Sequence, residues 1–403
     1  MKQEYKTSYF SGLSRNTFLL AFASLFADIS TEMLYPVLPI FLTQNLKAGG
    51  SIVGLVEGIA QATQNIIQGF SGWLSDKLQK RKSIALVGYL LATIAKPLIG
   101  LATGWQGVLG GRFLDRLGSG IRSAPRDGLI AASADEGHRG KAFGLEGIGD
   151  NLGAFLGPIL AVVILYTFHI PIRYVFYLAF IPGLLAFILI LFVKEASVLQ
   201  KKKESKFSGT IKYPYSYWKY IGAIGLFGLG NVSNSFLILQ TKNIGVPLEG
   251  TIIIYAFYNL VAALISYPSG FLSDTFGRKN ILLSSFVIFL FTYLFFAFTK
   301  NIVIIAVLFI LYGLYQGIFR SVGKAYASDF VPQEMRASSI GWYSTVVGLS
   351  GLIANLIAGQ LWDRVSHESV FLYGACLGII SIIYLVFFVK EHKAIPVHGT
   401  LQV

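Results

Sequence analysis

The sequence predicts an all-α membrane protein of twelve spanning helices in two related halves, and three observations carry that prediction. Hydrophobic residues make up 54% of the 403 positions against 13% charged, and the mean hydropathy is +0.63. A soluble domain carries about a quarter charged residues. Apolar stretches of about 20 residues, each long enough to cross the hydrocarbon core, recur from one end of the chain to the other. Finally, the two halves repeat one another in sequence.

The spans are placed at about 16–42, 51–73, 83–102, 105–131, 140–167 and 172–193 in the first half, and about 217–242, 250–272, 281–299, 302–328, 337–361 and 370–389 in the second. The first reads as a span rather than a secretory leader. Its apolar run follows Lys2, Lys6 and Arg15 but continues to Leu42, contains Asp28 and Glu32, and lacks a small-residue cleavage site.

A net charge of +13 could point to nucleic acid. The basic residues, however, concentrate in the N-terminal segment, the even-to-odd loops and the C-terminus, with Lys201, Lys202, Lys203 and Lys206 in the longest loop. The opposite side holds Lys47, Arg173, Lys242, Lys300 and Arg364. By the positive-inside rule both termini are expected in the cytoplasm of a bacterial cell, with the chain multi-pass in the inner membrane. The expected partner is the lipid bilayer, not nucleic acid. The expected organisation is a six-helix bundle over 1–193, a basic cytoplasmic linker over 194–216, a second six-helix bundle over 217–393 and a tail over 394–403. A single cysteine, Cys376, inside an apolar span leaves neither a disulfide framework nor a Cys-based metal site available.

The internal repeat is specific. Ser71-Gly-Trp-Leu-Ser-Asp76 returns as Ser269-Gly-Phe-Leu-Ser-Asp274, an offset of 198. The same offset aligns Gln61 with Asn259, Arg122-Ser123 with Arg320-Ser321, and Gly153 with Gly351. Asp28-Ile-Ser30 matches Asn231-Val-Ser233 after a small change in loop length. Duplicated halves are how many transporters build a central site. Gly72-x-x-x-Asp76-Lys77-x-x-Lys80-Arg81 follows the second span, and Gly270-x-x-x-Asp274-x-x-Gly277-Arg278-Lys279 follows the eighth.

On these motifs the chain resembles the major facilitator superfamily over nearly its whole length. The resemblance implies a secondary transporter with two bundles related by a pseudo-twofold axis. Its charged signature, Gly72, Asp76, Arg81 and Asp127 with Gly270, Asp274 and Arg278 as the second copy, would form a cytoplasmic gate. The plainer alternative is a loop salt bridge. Gln79 and Thr275 depart from the signature.

Ionisable groups inside a bilayer are costly and face a bundle interior or a wet cavity. Spans 6, 9 and 12 carry none, and span 3 carries only Lys96, so these four are expected to face lipid, with Lys96 snorkelling to the headgroups. Spans 1, 2, 4 and 5 carry Asp28, Glu32, Glu57, Arg112, Asp115, Arg116, Arg122, Arg126, Asp127, Glu146 and Asp150. Helical spacing puts Asp28 and Glu32 on one face, the span-4 arginines in one stripe, and Glu146 with Asp150 on another face. Two acidic faces and one basic face in one bundle should meet. This supports either a static ion-pair network or a proton path, for which Asp28, Glu32, Glu57, Arg112, Asp115, Glu146 and Asp150 are the candidates.

Arg112 fits the arginine of the family's span-4 motif, Gly111-Arg112-Phe-Leu-Asp115-Arg116-Leu-Gly118-Ser-Gly120; the resemblance implies a role in proton transfer or in holding substrate charge. Arg116 departs from the pattern and could hold an anionic group. The candidate substrate wall adds Asn231, Asn234, Tyr255, Asn259, Tyr312 and Gln316, uncharged groups that suit an amphiphilic ligand.

Span 5 carries Gly144, Gly147, Gly149, Gly153 and Gly157-Pro158, which is similar to the family's antiporter motif; close helix packing is the alternative reading. The expectation is a monomeric, proton-coupled antiporter exporting a small amphiphilic molecule, with proton symport of an anionic metabolite or metal chelate such as a siderophore as the second reading. No cofactor beyond the proton gradient, no metal and no catalytic residue is expected. A nucleophile with its base, and a Walker-type phosphate loop, are both missing from the sequence, which argues against a membrane enzyme and against direct ATP drive. A channel is the remaining alternative.

Overall fold

The computed structural model describes residues 13–133, 139–195, 213–332 and 335–390. Most of the 194–216 linker, the 394–403 tail and His138 lie outside the described residues, as does the side chain of Asp76. Fifteen helices follow in chain order: α1 Arg15–Leu34, α2 Leu38–Ile40, α3 Gly50–Leu78, α4 Arg81–Leu101, α5 Trp105–Ala132, α6 Arg139–Thr167, α7 Arg173–Leu178, α8 Phe180–Phe192, α9 Tyr215–Gly230, α10 Asn234–Asn243, α11 Leu248–Phe276, α12 Arg278–Phe298, α13 Ile302–Asp329, α14 Arg336–Arg364 and α15 His367–Phe388. A π-helical turn, Phe41–Asn45, continues α2.

Among the described residues, ten helical stretches are long and apolar enough to cross a bilayer, counting Arg15–Asn45, Arg173–Phe192 and Tyr215–Asn243 as one each. Of the remaining helices, α3 with 29 residues and α5 with 28 are also long enough. Their composition is more polar, because α5 holds the arginine stripe and α3 a run of Gln, Asn and Glu57. The first span ends as a regular helix at Leu34, two residues before Pro36, which cannot supply an amide hydrogen to continue the bonding pattern.

The chain forms two compact units: 1–37 with 66–206, and 38–65 with 207–403. Residues 38–65, including Glu57, therefore group with the second unit. In the first unit, α6 packs on α1 through a ladder of glycines. A Cβ at Gly149, Gly153 or Gly157 would fall 2.5, 2.6 and 2.8 Å from the backbone oxygens of Ala21, Leu25 and Ile29. Small residues at four-residue spacing let two backbones approach this closely in lipid. Gly144 and Gly147 meet nothing. The α4–α5 pair is equally close, with Gly118 against the backbone of Ala92 and Gly88 against that of Arg122.

In the second unit, α3 lies on α14: a Cβ on Gly54 would fall 2.1 Å from the Asn355 carbonyl oxygen. Asp363 accepts hydrogen bonds from the amides of Gly50 (2.6 Å) and Ser51 (2.8 Å), a carboxylate satisfying the orphan donors of a helix start. Between α9 and α10 the helix is broken at Asn231–Ser233. Broken backbone groups in lipid need internal partners, and two are supplied: Ser233 N donates to Asn355 Oδ1 at 2.8 Å, and Tyr293 Oη donates to the Val232 carbonyl at 3.5 Å. The matching segment Asp28–Ser30 stays helical, so the repeat in sequence is not a repeat in backbone here.

On α4, Leu90, Ile94, Leu98 and Leu101 are exposed while Ala85, Tyr89, Ala92, Lys96 and Ile99 are buried. Lys96 therefore corrects the expectation of snorkelling: it is 1% exposed and points inward.

Candidate functional site

The first unit concentrates buried charge, and α5 organises it in three levels. At one level Asp115, fully buried, receives Lys96 Nζ in a short contact, Arg112 Nη1 at 3.0 Å and Arg116 Nε at 3.5 Å. Three cations share this carboxylate. Lys96 also reaches Thr31 Oγ1 at 3.5 Å, and the Arg112 guanidinium lies 5.3 Å from the Tyr35 ring centre. At the middle level Arg122 Nη2 faces Asp28 at 3.5 Å, and its guanidinium lies over the Tyr89 ring at 4.8 Å. At the third level Arg126 reaches Glu146 (2.7 Å), Asp127 (3.0 Å) and Asp150 (3.5 Å), and donates to Ser24 Oγ at 2.8 Å. Ser24 in turn donates to Glu146 Oε1 at 3.3 Å.

The expected meeting of acidic α1 and α6 faces with the basic α5 stripe is thus observed, through Arg122 and Arg126. Buried charges need such partners, because desolvation otherwise costs several kcal/mol per ion. Arg112 and Arg116 instead reach Asp115 on their own helix. Glu32 is half-buried on α1, and Glu57 is buried in the second unit. Missed at the sequence level were Lys96, Tyr89 and Ser24. For Lys96 and Tyr89 the signal was positional: Ala85, Tyr89, Ala92, Lys96 and Ile99 advance by three or four along one face of α4, so Lys96 belongs with the inward residues.

The second unit carries the uncharged wall. Asn234 donates to Tyr258 Oη at 3.1 Å and accepts from Tyr312 Oη at 3.0 Å. The Tyr255 ring lies 5.4 Å from that of Tyr258 and tilted 36° to it, and the Tyr312 ring 5.2 Å from that of Tyr315 and tilted 47°. Asn231 and Gln316 each present a buried side-chain oxygen with no protein donor. Asn259 is half-buried on α11. These residues lie in the second unit, whereas Arg112 and Arg116 lie in the first.

The signature residues divide similarly. Arg81, at the head of α4, donates to the Gly128 carbonyl at 3.2 Å near the end of α5, and Gly72 sits within 3.1 Å of the Ala124 methyl when given a Cβ. Asp127 pairs with Arg126. In the second unit Arg278, at the head of α12, reaches Asp274 at 3.3 Å and Asp329 at 3.0 Å near the end of α13. A Cβ on Gly270 would meet nothing. In both units a basic residue opening the third long helix thus ties down the end of the fourth. Among the described residues, no group of three or more His, Cys, Asp or Glu side chains could hold a metal ion.

Comparison with known proteins places this geometry. A family model described as Major Facilitator Superfamily matches residues 20–240 and 220–400. An uncharacterised MFS-type transporter of Methanocaldococcus jannaschii is 36% identical over 382 residues, covering 93% of this chain and 95% of that one. The quinolone resistance protein NorA of Staphylococcus aureus is 26% identical over 402 residues, covering 95% and 98%. Among solved structures, a variant of the nucleoside transporter NupG superposes with a TM-score of 0.77 at 14% identity, covering 93% of this chain and all of that one.

Proposed function

The chain belongs to the major facilitator superfamily, and we propose that it is a proton-coupled transporter that exports a small amphiphilic organic molecule by antiport. It is a multi-pass membrane transporter of small molecules by family; the proton, the direction and the substrate class are the proposal. The observation that carries it is the chain of ion pairs Asp28–Arg122 and Arg126–Glu146–Asp150 across α1, α5 and α6. One arginine serving several carboxylates can release one when that carboxylate takes up a proton, and a membrane-embedded carboxylate network is a functional site by default. Asp28, half-buried on α1 at 3.5 Å from Arg122, is the member to which we assign the coupling proton, with Asp150, at the same distance from Arg126, as the alternative.

Direction rests on other support. Gly149, Gly153 and Gly157 of span 5 are accounted for by packing on α1, so they carry no argument for antiport. The NorA relative is named for quinolone resistance, and the tyrosine and carboxamide wall of the second unit suits an amphiphilic organic ligand. We place the chain in the cytoplasmic (inner) membrane with both termini inside, acting as a monomer through alternating access.

The second reading, proton symport of an anionic metabolite or chelate, is supported by the convergence of Lys96, Arg112 and Arg116. Inside-out and right-side-out vesicles given the same imposed pH gradient separate the two. Accumulation of a fluorescent amphiphilic amine in acid-loaded inside-out vesicles is expected. Uptake of anionic probes confined to right-side-out vesicles with an acid exterior would replace the first reading by the second.

A further inference from the structure

Within the first unit, a small cavity lies between α1, α4, α5 and α8. Its polar lining is Ser30, Thr31, Tyr89, Thr93, Lys96 and Arg122. The lining holds two cations and four hydroxyls and no carboxylate; the partners of Lys96 and Arg122, Asp115 and Asp28, lie outside it. Arg122 is 7% exposed, and its Nε and Nη1 have no acceptor, as is also true of the Tyr89 hydroxyl. Only Nη2 is used, toward Asp28. Donors on a buried guanidinium are costly to leave unmet.

We infer that this cavity is a binding site for a small monatomic anion of the chloride type. The donors available to it are Arg122 Nε and Nη1, Tyr89 Oη, Lys96 Nζ and the Thr31 hydroxyl. Ser30 and Thr93 contribute none, because they donate to the Ala179 and Tyr89 carbonyls at 2.6 and 2.7 Å. Their oxygens line the side of the cavity next to Gly183.

The space is small, on the order of one water-sized ligand; this selects against the carboxylate or phosphate of an organic substrate, and a chloride ion, somewhat larger than water, requires the lining to relax slightly around it. A cation is excluded by the two positive charges. Water satisfies the hydrogen bonds but gains nothing from those charges, whereas an anion does. Gly183 keeps the site open. A Cβ there would stand 3.1 Å from both Ser30 Oγ and Thr93 Oγ1.

The site shares Arg122 with the proposed proton path but is tested without transport. Radioactive chloride binding is measured on the purified full-length protein in detergent, with gluconate holding ionic strength constant. Saturable binding of about one ion per chain is expected, weakened at least tenfold in Arg122→Gln and in Gly183→Ala. The glycine variant leaves every donor in place, so its loss of binding reports the cavity and not a disrupted ion pair. Absence of saturable binding to the wild type would overturn the inference and leave the cavity to water. Binding unchanged in a Gly183→Ala protein that elutes and melts like the wild type would overturn it equally.

Discussion

Lys96 and Asp115 show how much a single side chain decides in a low-dielectric interior. Asp115 is the shared counter-ion of Lys96, Arg112 and Arg116, so its removal strands cations that it holds together. Breaking a buried pair by removing one partner costs about 3–5 kcal/mol. Asp115→Ala is expected to lower the melting temperature of the detergent-solubilised protein sharply. Lys96→Met should cost much less, because two cations still face the carboxylate and methionine fills the space. Equal melting temperatures for the two variants would contradict the sharing.

Charges on α1, α5 and α6 were legible in the sequence because costly intramembrane groups at helical spacing have few places to go. Which arginine takes which carboxylate was not legible. Spacing defines faces but not the rotation of one helix against another, and it is Arg126 that reaches three carboxylates, Asp127, Glu146 and Asp150. Lys96 was misread because a lone lysine near a span end has two physical solutions, and only the phase of its inward face separates them.

At the scale of elements, close glycine contacts set which helices can pair. Gly153→Leu would drive a side chain into the Leu25 carbonyl, 2.6 Å from the Cβ position, and is expected to separate α6 from α1 at a cost of about 1–3 kcal/mol or more. Gly147→Ala meets open space and should stay within about 0.5 kcal/mol of the wild type. Melting curves of the two variants check the contrast, and a damaging Gly147→Ala would return the glycine run to a role beyond packing.

The break between α9 and α10 gives a second element-scale prediction. Asn355→Ala would leave the buried Ser233 amide without an acceptor, costing about 1–3 kcal/mol. Faster amide exchange at 231–235 would report it; exchange equal to the wild type would show the break to be held by other contacts. Nothing in the local sequence announced this break. Gly230 and the cap residue Ser233 permit it, but its acceptor comes from α14, more than a hundred residues away. Helix existence was legible from apolar length, whereas interruption depends on distant partners.

For the whole molecule, the two signature copies and the constant 198-residue offset made the family readable from the sequence, and the family match and the 36%-identical relative show it. The chemistry did not duplicate with the fold. The first unit holds the ion pairs of α1, α4, α5 and α6, and the second holds the tyrosine and carboxamide wall, so the proposed proton path and the proposed amphiphile wall belong to different units.

The central claim is that Asp28 exchanges the coupling proton. The most direct measurement compares pH-gradient-driven transport with substrate exchange at equal pH in proteoliposomes carrying the wild type or Asp28→Asn, with an amphiphilic amine found to be transported by the wild type. The account predicts that Asp28→Asn abolishes driven accumulation while exchange continues at a rate near that of the wild type. Driven accumulation at the wild-type rate in Asp28→Asn would contradict it.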